Sequence, residues 1–207
     1  MPQLSRCPWA FGHEASIVYH DREWGVPCWD DTRQFEFLML ESAQAGLSWR
    51  TILDKRAGYR QAFAGFDPVA VAAFSVRQEE ELLANPAIIR NRQKIQAAIN
   101  NAHRFLEVQA RYGNFCNYLW SFVDGRPLIN TWREVNQVPA QTALSQKIAK
   151  DMKSLGFKFL GPVIIYAHLQ ATGLINDHLV GCFRHKQVGK EKIVRQSWNI
   201  ERQPRRG

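Results

Sequence analysis

The sequence predicts an all-α fold. Three observations carry that expectation. Apolar residues recur at helical spacing in several long segments, capping residues stand at their starts, and polar–apolar alternation is scarce.

Taken in chain order, Asp31-Thr32-Arg33-Gln34 has the spacing of a capping start, and Phe35, Leu38 and Met39 follow at helical spacing. Ser48 is placed to cap a second helix carrying Trp49, Ile52 and Leu53. Asp67-Pro68 is an N-cap with proline at the first helical position, opening Val69 to Phe74. Ser75 and Gln78 have capping-box spacing ahead of Leu82 and Leu83. The longest expected helix runs from about Asn91 to Arg111, with Ile95, Ile99, Ala102 and Leu106 as its apolar stripe. Leu144, Ile148, Met152 and Leu155 form another, closed by Gly156. Pro162 opens a last helix toward Thr172, with Gly173 as terminator. Residues 112–141 are the least regular.

The chain has 207 residues, enough for one large core or two small lobes. Charged residues make up 22% and apolar ones 45%, which excludes wholesale disorder. No apolar run approaches the roughly 20 residues of a bilayer span. Met1 to Phe11 lacks the basic-then-apolar order of a signal peptide, so a cytoplasmic location is expected, without membrane attachment. Lys and Arg number 27 against 19 Asp and Glu, a net charge of +8. Residues 184–207 hold eight basic and two acidic side chains and so supply +6 of it. The expected division is a body over 1–183 and a basic tail over 184–207, read as a solvated, flexible extension, with a modest attraction for phosphate as the alternative.

Cys7 and His20 lie near one end of the body, His178 and Cys182 near the other. The second pair is four residues apart, which puts both side chains on one face of a helical turn. Two thiolates and two imidazoles make a closed tetrahedral Zn²⁺ set. The other reading of the same residues is packed cysteines and ordinary hydrogen-bonded histidines. Asp21 and Asp177 adjoin the histidines as candidate acceptors for their ring N–H groups. Cys28 and Cys116 read as packing residues.

Trp9, Tyr19, Trp24, Glu41 and Trp49 fall close together in the chain. They read either as core, or as an aromatic pocket for a planar ligand with Glu41 as its sole carboxylate. The stretch from Asn85 to Ile95 reads as a helix end, a tight connection and the start of the long helix. Such a helix start attracts phosphate oxygens, with Arg90, Arg92 and Lys94 adding charge, or it is an ordinary charged connection.

Several separated blocks carry a resemblance. They are Tyr19-His20-Asp21-Arg22-Glu23-Trp24-Gly25-Val26-Pro27, Gln44-Ala45-Gly46-Leu47-Ser48-Trp49, Ile88-Ile89-Arg90, Gly156-Phe157-Lys158-Phe159-Leu160-Gly161 and Asn176-Asp177-His178. In order and spacing they resemble the bacterial DNA-3-methyladenine glycosylase I family. The resemblance implies a two-lobed helix-hairpin-helix fold whose chain ends are tied by one structural Zn²⁺ on Cys7, His20, His178 and Cys182. It places the base pocket at Tyr19, Glu41 and Trp49, walled by Trp9 and Trp24, with Glu41 and Tyr19 in the catalytic role. It makes Ile88, Ile89, Arg90, Arg92 and Lys94 the DNA-backbone grip.

The activity so implied is removal of 3-methyladenine from double-stranded alkylated DNA by a monomeric cytoplasmic enzyme that works on the nucleoid and releases the free base. Ser42, Ala43 and Ala167 depart from the family pattern and bear on fine specificity. Two other readings stay open: a DNA- or base-binding protein that keeps the stapled fold without chemistry, and a glycosylase of shifted lesion preference.

Overall fold

A computed structural model describes residues 5–188. Its α-helices are α1 (Glu14–Arg22), α2 (Asp31–Gln44), α3 (Trp49–Ala62), α4 (Pro68–Ala72), α5 (Val76–Ala84), α6 (Arg92–Tyr112), α7 (Phe115–Trp120), α8 (Ala143–Ser154), α9 (Pro162–Ala171) and α10 (Phe183–Val188). The all-α expectation holds apart from two short strands, β1 (Leu128–Ile129) and β2 (Ile175–Asn176). They run parallel, with Leu128 paired to Ile175.

The local caps form where expected. Ser48 accepts from the Thr51 amide, Asp67 from Val69, and Asn91 from Lys94, while Ser75 and Gln78 close a reciprocal box. The start of α2 differs by one residue. Asp30 is the cap, accepting from the Arg33 amide at 2.7 Å. The Asp31 carboxylate is thereby free to accept from the amides of Phe115 and Cys116 at 2.8 and 2.9 Å, so it caps α7 from another part of the chain. Along α6 the buried face is Ile95, Ala102, Phe105 and Val108, so Ile99 and Leu106 flank the stripe rather than form it.

Helix α2 is the centre of the molecule. Every side chain from Gln34 to Ala43 is buried, because α3, α6, α7 and α9 pack around it. A helix buried on all sides must find partners for its polar side chains. Gln34 donates to the Cys28 carbonyl at 3.0 Å and accepts from the buried His168 ring at 2.8 Å. Glu36 accepts from Arg56 at 2.9 Å and Arg60 at 2.8 Å. Glu41 accepts from no group among the described residues.

Two features set the surroundings of that helix. In α3, a Cβ on Gly58 would come within 2.5 Å of the Ala87 carbonyl oxygen, so only glycine lets the 85–91 connection lie this close. The β1–β2 pairing draws the irregular 130–138 stretch against the chain after α9, where the Val180 amide donates to the Trp132 carbonyl at 2.8 Å.

The folded body extends past the boundary expected at 183. Val188 is buried at the end of α10. The His185 carbonyl accepts from Asn176 at 3.0 Å, and its ring bonds the Asn130 carbonyl at 2.8 Å. The rest of the expected basic tail lies outside the described residues. Among the described residues no helix is long and apolar enough to cross a membrane.

Candidate active site and metal centre

The two half-sites converge. Cys7 precedes a helical turn at Pro8–Ala10, His20 lies in α1, and His178 and Cys182 lie in the turn between β2 and α10. All four are buried, with their ligand atoms within 4.8 Å of one another. Cys182 Sγ lies 3.4 Å from His20 Nε2 and 3.6 Å from His178 Nδ1, and Cys7 Sγ lies 3.8 Å from His178 Nδ1. The N–S edge of a tetrahedron around zinc is about 3.6 Å, given bonds of about 2.0–2.1 Å to nitrogen and about 2.3 Å to sulfur.

The outer ring nitrogens fix which atoms face inward. His20 Nδ1 donates to Asp21 at 2.8 Å, and Asp21 is itself held by Arg6 at 2.8 Å. His178 Nε2 donates to the Trp24 carbonyl at 2.9 Å. Each imidazole therefore turns a lone pair toward the two sulfurs, the tautomers that metal ligation requires. Hydrogen bonding from Cys7 pulls the Cys182 thiol far below its ordinary range, while the bond to Cys182 and burial push Cys7 up. The residues present fit a closed four-ligand metal site with no open position.

A cleft of about 600 Å³ opens beside this centre. Trp9, Tyr19, Trp24, Glu41 and Trp49 all line it, so the structure brings together every residue expected at the pocket. Its aromatic wall leans on the metal ligands. The Trp9 ring meets His20 at 5.3 Å and Trp24 edge-on at 5.0 Å, and Trp24 meets His178 at 4.5 Å. Tyr19 packs on Trp49 at 5.3 Å. The Trp49 indole N–H is buried without a partner among the described residues. Burial alone pushes the Glu41 carboxyl up to about 8. Burial, then the nearby Glu41 and Glu23, also holds the Tyr19 hydroxyl well above its usual range. The expected carboxylate is therefore mostly protonated at neutral pH. Ala167 also lines the cleft, but Ser42 and Ala43 do not.

Asp177 corrects the reading in two ways. It does not serve His178, and it lines the cleft as a second acid. Its carboxylate accepts from Asn130 at 2.6 Å, Trp132 at 2.8 Å, Gln170 at 2.7 Å and the Tyr166 hydroxyl. Four donors saturate it, which leaves Glu41 as the unpaired acid. The cleft residues Ser16, His13 and Gln170 were not foreseen. Ser16 bonds His13 Nδ1 at 2.9 Å, and His13 Nε2 bonds Asp54 at 2.8 Å. Nothing in local sequence marks these contacts.

The expected DNA grip lies between α5 and α6, but its residues have different surroundings. Ile88 is buried in the core, and the Ile89 amide donates to the Tyr59 hydroxyl at 3.2 Å. Arg92 is paired with Glu79 at 3.1 Å and Glu80 at 2.9 Å. Lys94 turns inward to the carbonyls of Ala43 and Ala45. Of the three cations, only Arg90 is exposed and without a partner among the described residues.

The profile of the methyladenine glycosylase family matches residues 9–185. The chain belongs to the methyladenine glycosylase family. It is 44% identical over 179 residues to DNA-3-methyladenine glycosylase 1 of Escherichia coli (strain K12), covering 86% of this chain and 96% of the relative. It is 40% identical over 178 residues to DNA-3-methyladenine glycosylase of Haemophilus influenzae, again covering 86% and 96%. A crystal structure of a 3-methyladenine DNA glycosylase I superimposes with a TM-score of 0.84 at 47% identity, covering 86% of this chain and 98% of that one. A glycosylase I structure in complex with 3-methyladenine superimposes with a TM-score of 0.83 at 36% identity, covering 86% and 95%. In this methyladenine glycosylase the matched residues take in the α5–α6 connection, the candidate ligands His20, His178 and Cys182, and every cleft residue but Cys7, which lies just before them.

Proposed function

We propose that this chain is a DNA repair glycosylase that hydrolyses the N-glycosidic bond of 3-methyladenine in double-stranded alkylated DNA. The observation that carries the reading is the unpaired, buried Glu41 carboxyl in an aromatic cleft. Such a group is costly unless a ligand completes it. A base made cationic by N3-methylation is that ligand. The similar structure in complex with 3-methyladenine supports the choice of base.

The chemistry asks little of an acid. The C1′–N9 bond breaks with its electron pair moving to the base, which leaves neutral because it was cationic. Water bonds to C1′ and loses a proton, giving the abasic site. The chain's work is to extrude the nucleotide, hold it and admit water. Glu41 gives up its proton to solvent as the cation enters and accepts from the exocyclic amine. Tyr19 adds a hydroxyl contact, and the indoles of Trp49, Trp9 and Trp24 supply stacking faces, worth about 1–3 kcal/mol per base. Among the described residues no lysine lines the cleft, so base removal without strand cleavage is the expected outcome.

Zn²⁺ is the ion proposed for Cys7, His20, His178 and Cys182. With four ligands it supplies cross-linking rather than catalysis. The α5–α6 connection is read as the DNA-gripping hairpin of a two-lobed helix-hairpin-helix fold. Arg90 and the free amides at the start of α6 meet phosphate there. The enzyme is read as a monomer acting in the cytoplasm, on the nucleoid.

The test is chromatography of bases released from methylated duplex DNA by the purified protein. Release of free 3-methyladenine, strongly reduced in Glu41→Gln, is the expected result. Release of no base by a folded, metal-loaded protein would overturn the reading in favour of a silent binding protein. Release of a different methylated base would relocate its specificity.

A further inference from the structure

Lys94 is the third residue of α6, inside the segment expected to meet DNA. Its side chain does something else. Nζ donates to the Ala43 carbonyl at 2.8 Å and the Ala45 carbonyl at 2.7 Å. These oxygens belong to the C-terminal end of α2, where helix carbonyls lack partners of their own and a cation is favoured by the dipole. Glu41 lies two residues before Ala43 in the same helix. Ala45 leads through Gly46, in the left-handed region at φ +78°, to Ser48 and Trp49. One ammonium thus holds the last turn of α2, between Glu41 and the turn that leads to Trp49. The Lys94 backbone is held at the other end, its amide capped by Asn91 at 3.1 Å. The residue belongs to the hairpin by its main chain and to the end of α2, the helix that carries Glu41, by its side chain.

We propose that Lys94 is a positioning residue that locks the Glu41–Trp49 segment to the α5–α6 hairpin, so that gripping the DNA backbone and shaping the base pocket are one mechanical event. This rests on the glycosylase reading given above. The neighbouring cations do not share the role, because Arg92 is held by Glu79 and Glu80 and Arg90 has no partner among the described residues. Partial burial also lowers the pKa of the Lys94 ammonium, as expected of a cation held against protein rather than water.

Lys94→Met keeps the stem and removes the ammonium. Two readouts separate a brace from a phosphate contact. The first is affinity for free 3-methyladenine in the absence of DNA. The second is the slope of log K against log salt for undamaged duplex. A brace predicts weaker base binding with the slope unchanged. Single-turnover excision should slow by about ten- to hundredfold, because misplacement near 1 Å costs about that much. A phosphate contact predicts the converse, base affinity intact and a slope shallower by about 0.9, and that result overturns the proposal.

Arg90→Gln is the comparator and should show the phosphate pattern. Lys94→Arg retains donors for both carbonyls and should recover most of the base affinity. Should Lys94→Met fail to fold, Lys94→Gln, which can serve one carbonyl, gives the same readouts. Wild type that binds and excises the base alongside a Lys94 variant of unchanged base affinity overturns the brace alone. Wild type that does neither overturns the glycosylase reading instead.

Discussion

Glu36 and Glu41 stand five positions apart on α2, and both are almost fully buried, yet only Glu36 is paired. Glu36 is 4% exposed and holds two arginines, while Glu41 is 5% exposed and holds none among the described residues. The same helix therefore shows how the protein neutralises a buried acid and where it declines to. Arg56 reaches Glu36 and also Glu23 at 2.9 Å, so its charge is consumed on the side away from Glu41. The asymmetry is the ground for proposing Glu41 as a site residue rather than a structural one.

The first prediction follows from that burial. The Glu41 carboxyl is pushed up to about 8 in the folded chain against 4.5 as its ordinary value. Below about pH 4.5 folded and unfolded chains both hold the proton. Between about 4.5 and 8 the unfolded chain releases it and the folded chain does not, so stability falls as pH rises, and above about 8 the loss is complete. Glu41→Gln removes this pH dependence. The variant should melt at higher temperature than wild type at pH 8, and the gap should close toward pH 4.5. Paired melts across that range measure it, and a gap independent of pH would contradict it.

Metal analysis carries the second. One zinc per chain is expected in protein purified without added metal. Cys182→Ala removes a ligand and should lower the melting temperature sharply, since a structural zinc site contributes directly to folding. The cleft should suffer with it, because Trp9 and Trp24 rest on His20 and His178. The check is zinc content by mass spectrometry, alongside 3-methyladenine affinity of the variant at a temperature where it stays folded. A folded wild-type protein with zinc near zero would remove the centre.

What could be read from the chain divides by range. Ser48, Asp67 and Ser75 cap as expected because their partners lie two or three residues away. Asp31 was misread as a local element because its partners, Phe115 and Cys116, lie in a distant helix. The strands β1 and β2 are two residues each, too short for alternation to show. Arg90, Arg92 and Lys94 look equivalent in sequence, and their fates are set by Glu79, Glu80 and the end of α2. The metal ligands were legible as a chemical set, but only the fold shows that Asp21 serves His20 while Asp177 turns to other donors. Glu41 was legible as a candidate, but its protonation is a property of the surrounding helices.

Cutting the chain at two places separates the folded end from the basic segment. Truncation after Val188 removes residues 189–207, which hold six basic and two acidic side chains. Binding to undamaged duplex should weaken with a shallower salt slope, while affinity for free 3-methyladenine stays the same. Truncation after Phe183 also removes α10 and the His185 contacts to Asn130 and Asn176, and should lower the melting temperature. Equal melting temperatures for the two truncations would show that α10 adds nothing to the fold.

Asp177→Asn gives the last prediction. The substitution is isosteric, so it leaves packing alone and changes only hydrogen-bond character. In the native chain Oδ1 accepts from Asn130 and Trp132, and Oδ2 accepts from Tyr166 and Gln170. An asparagine keeps one of those acceptors and replaces the other with an NH₂ group that faces two donors. Two charge-assisted bonds are lost and buried donors oppose one another. Hydrogen bonds to charged groups are worth about 1.5–3 kcal/mol each, so a loss of about 3 kcal/mol or more is expected. At about 2–4 °C per kcal/mol for a chain of this size, the melting temperature should fall by roughly 6–12 °C. Which pair is broken decides the functional effect. If the amide nitrogen takes the Oδ2 position, Gln170 turns over and presents its other end to the cleft, so base affinity falls too. If it takes the Oδ1 position, Asn130 and Trp132 loosen and the 130–138 stretch, whose Val135 and Val138 line the cleft, moves instead. Melting curves and titration with free 3-methyladenine separate these, and a variant as stable as wild type would show that the four-donor arrangement contributes nothing to the fold.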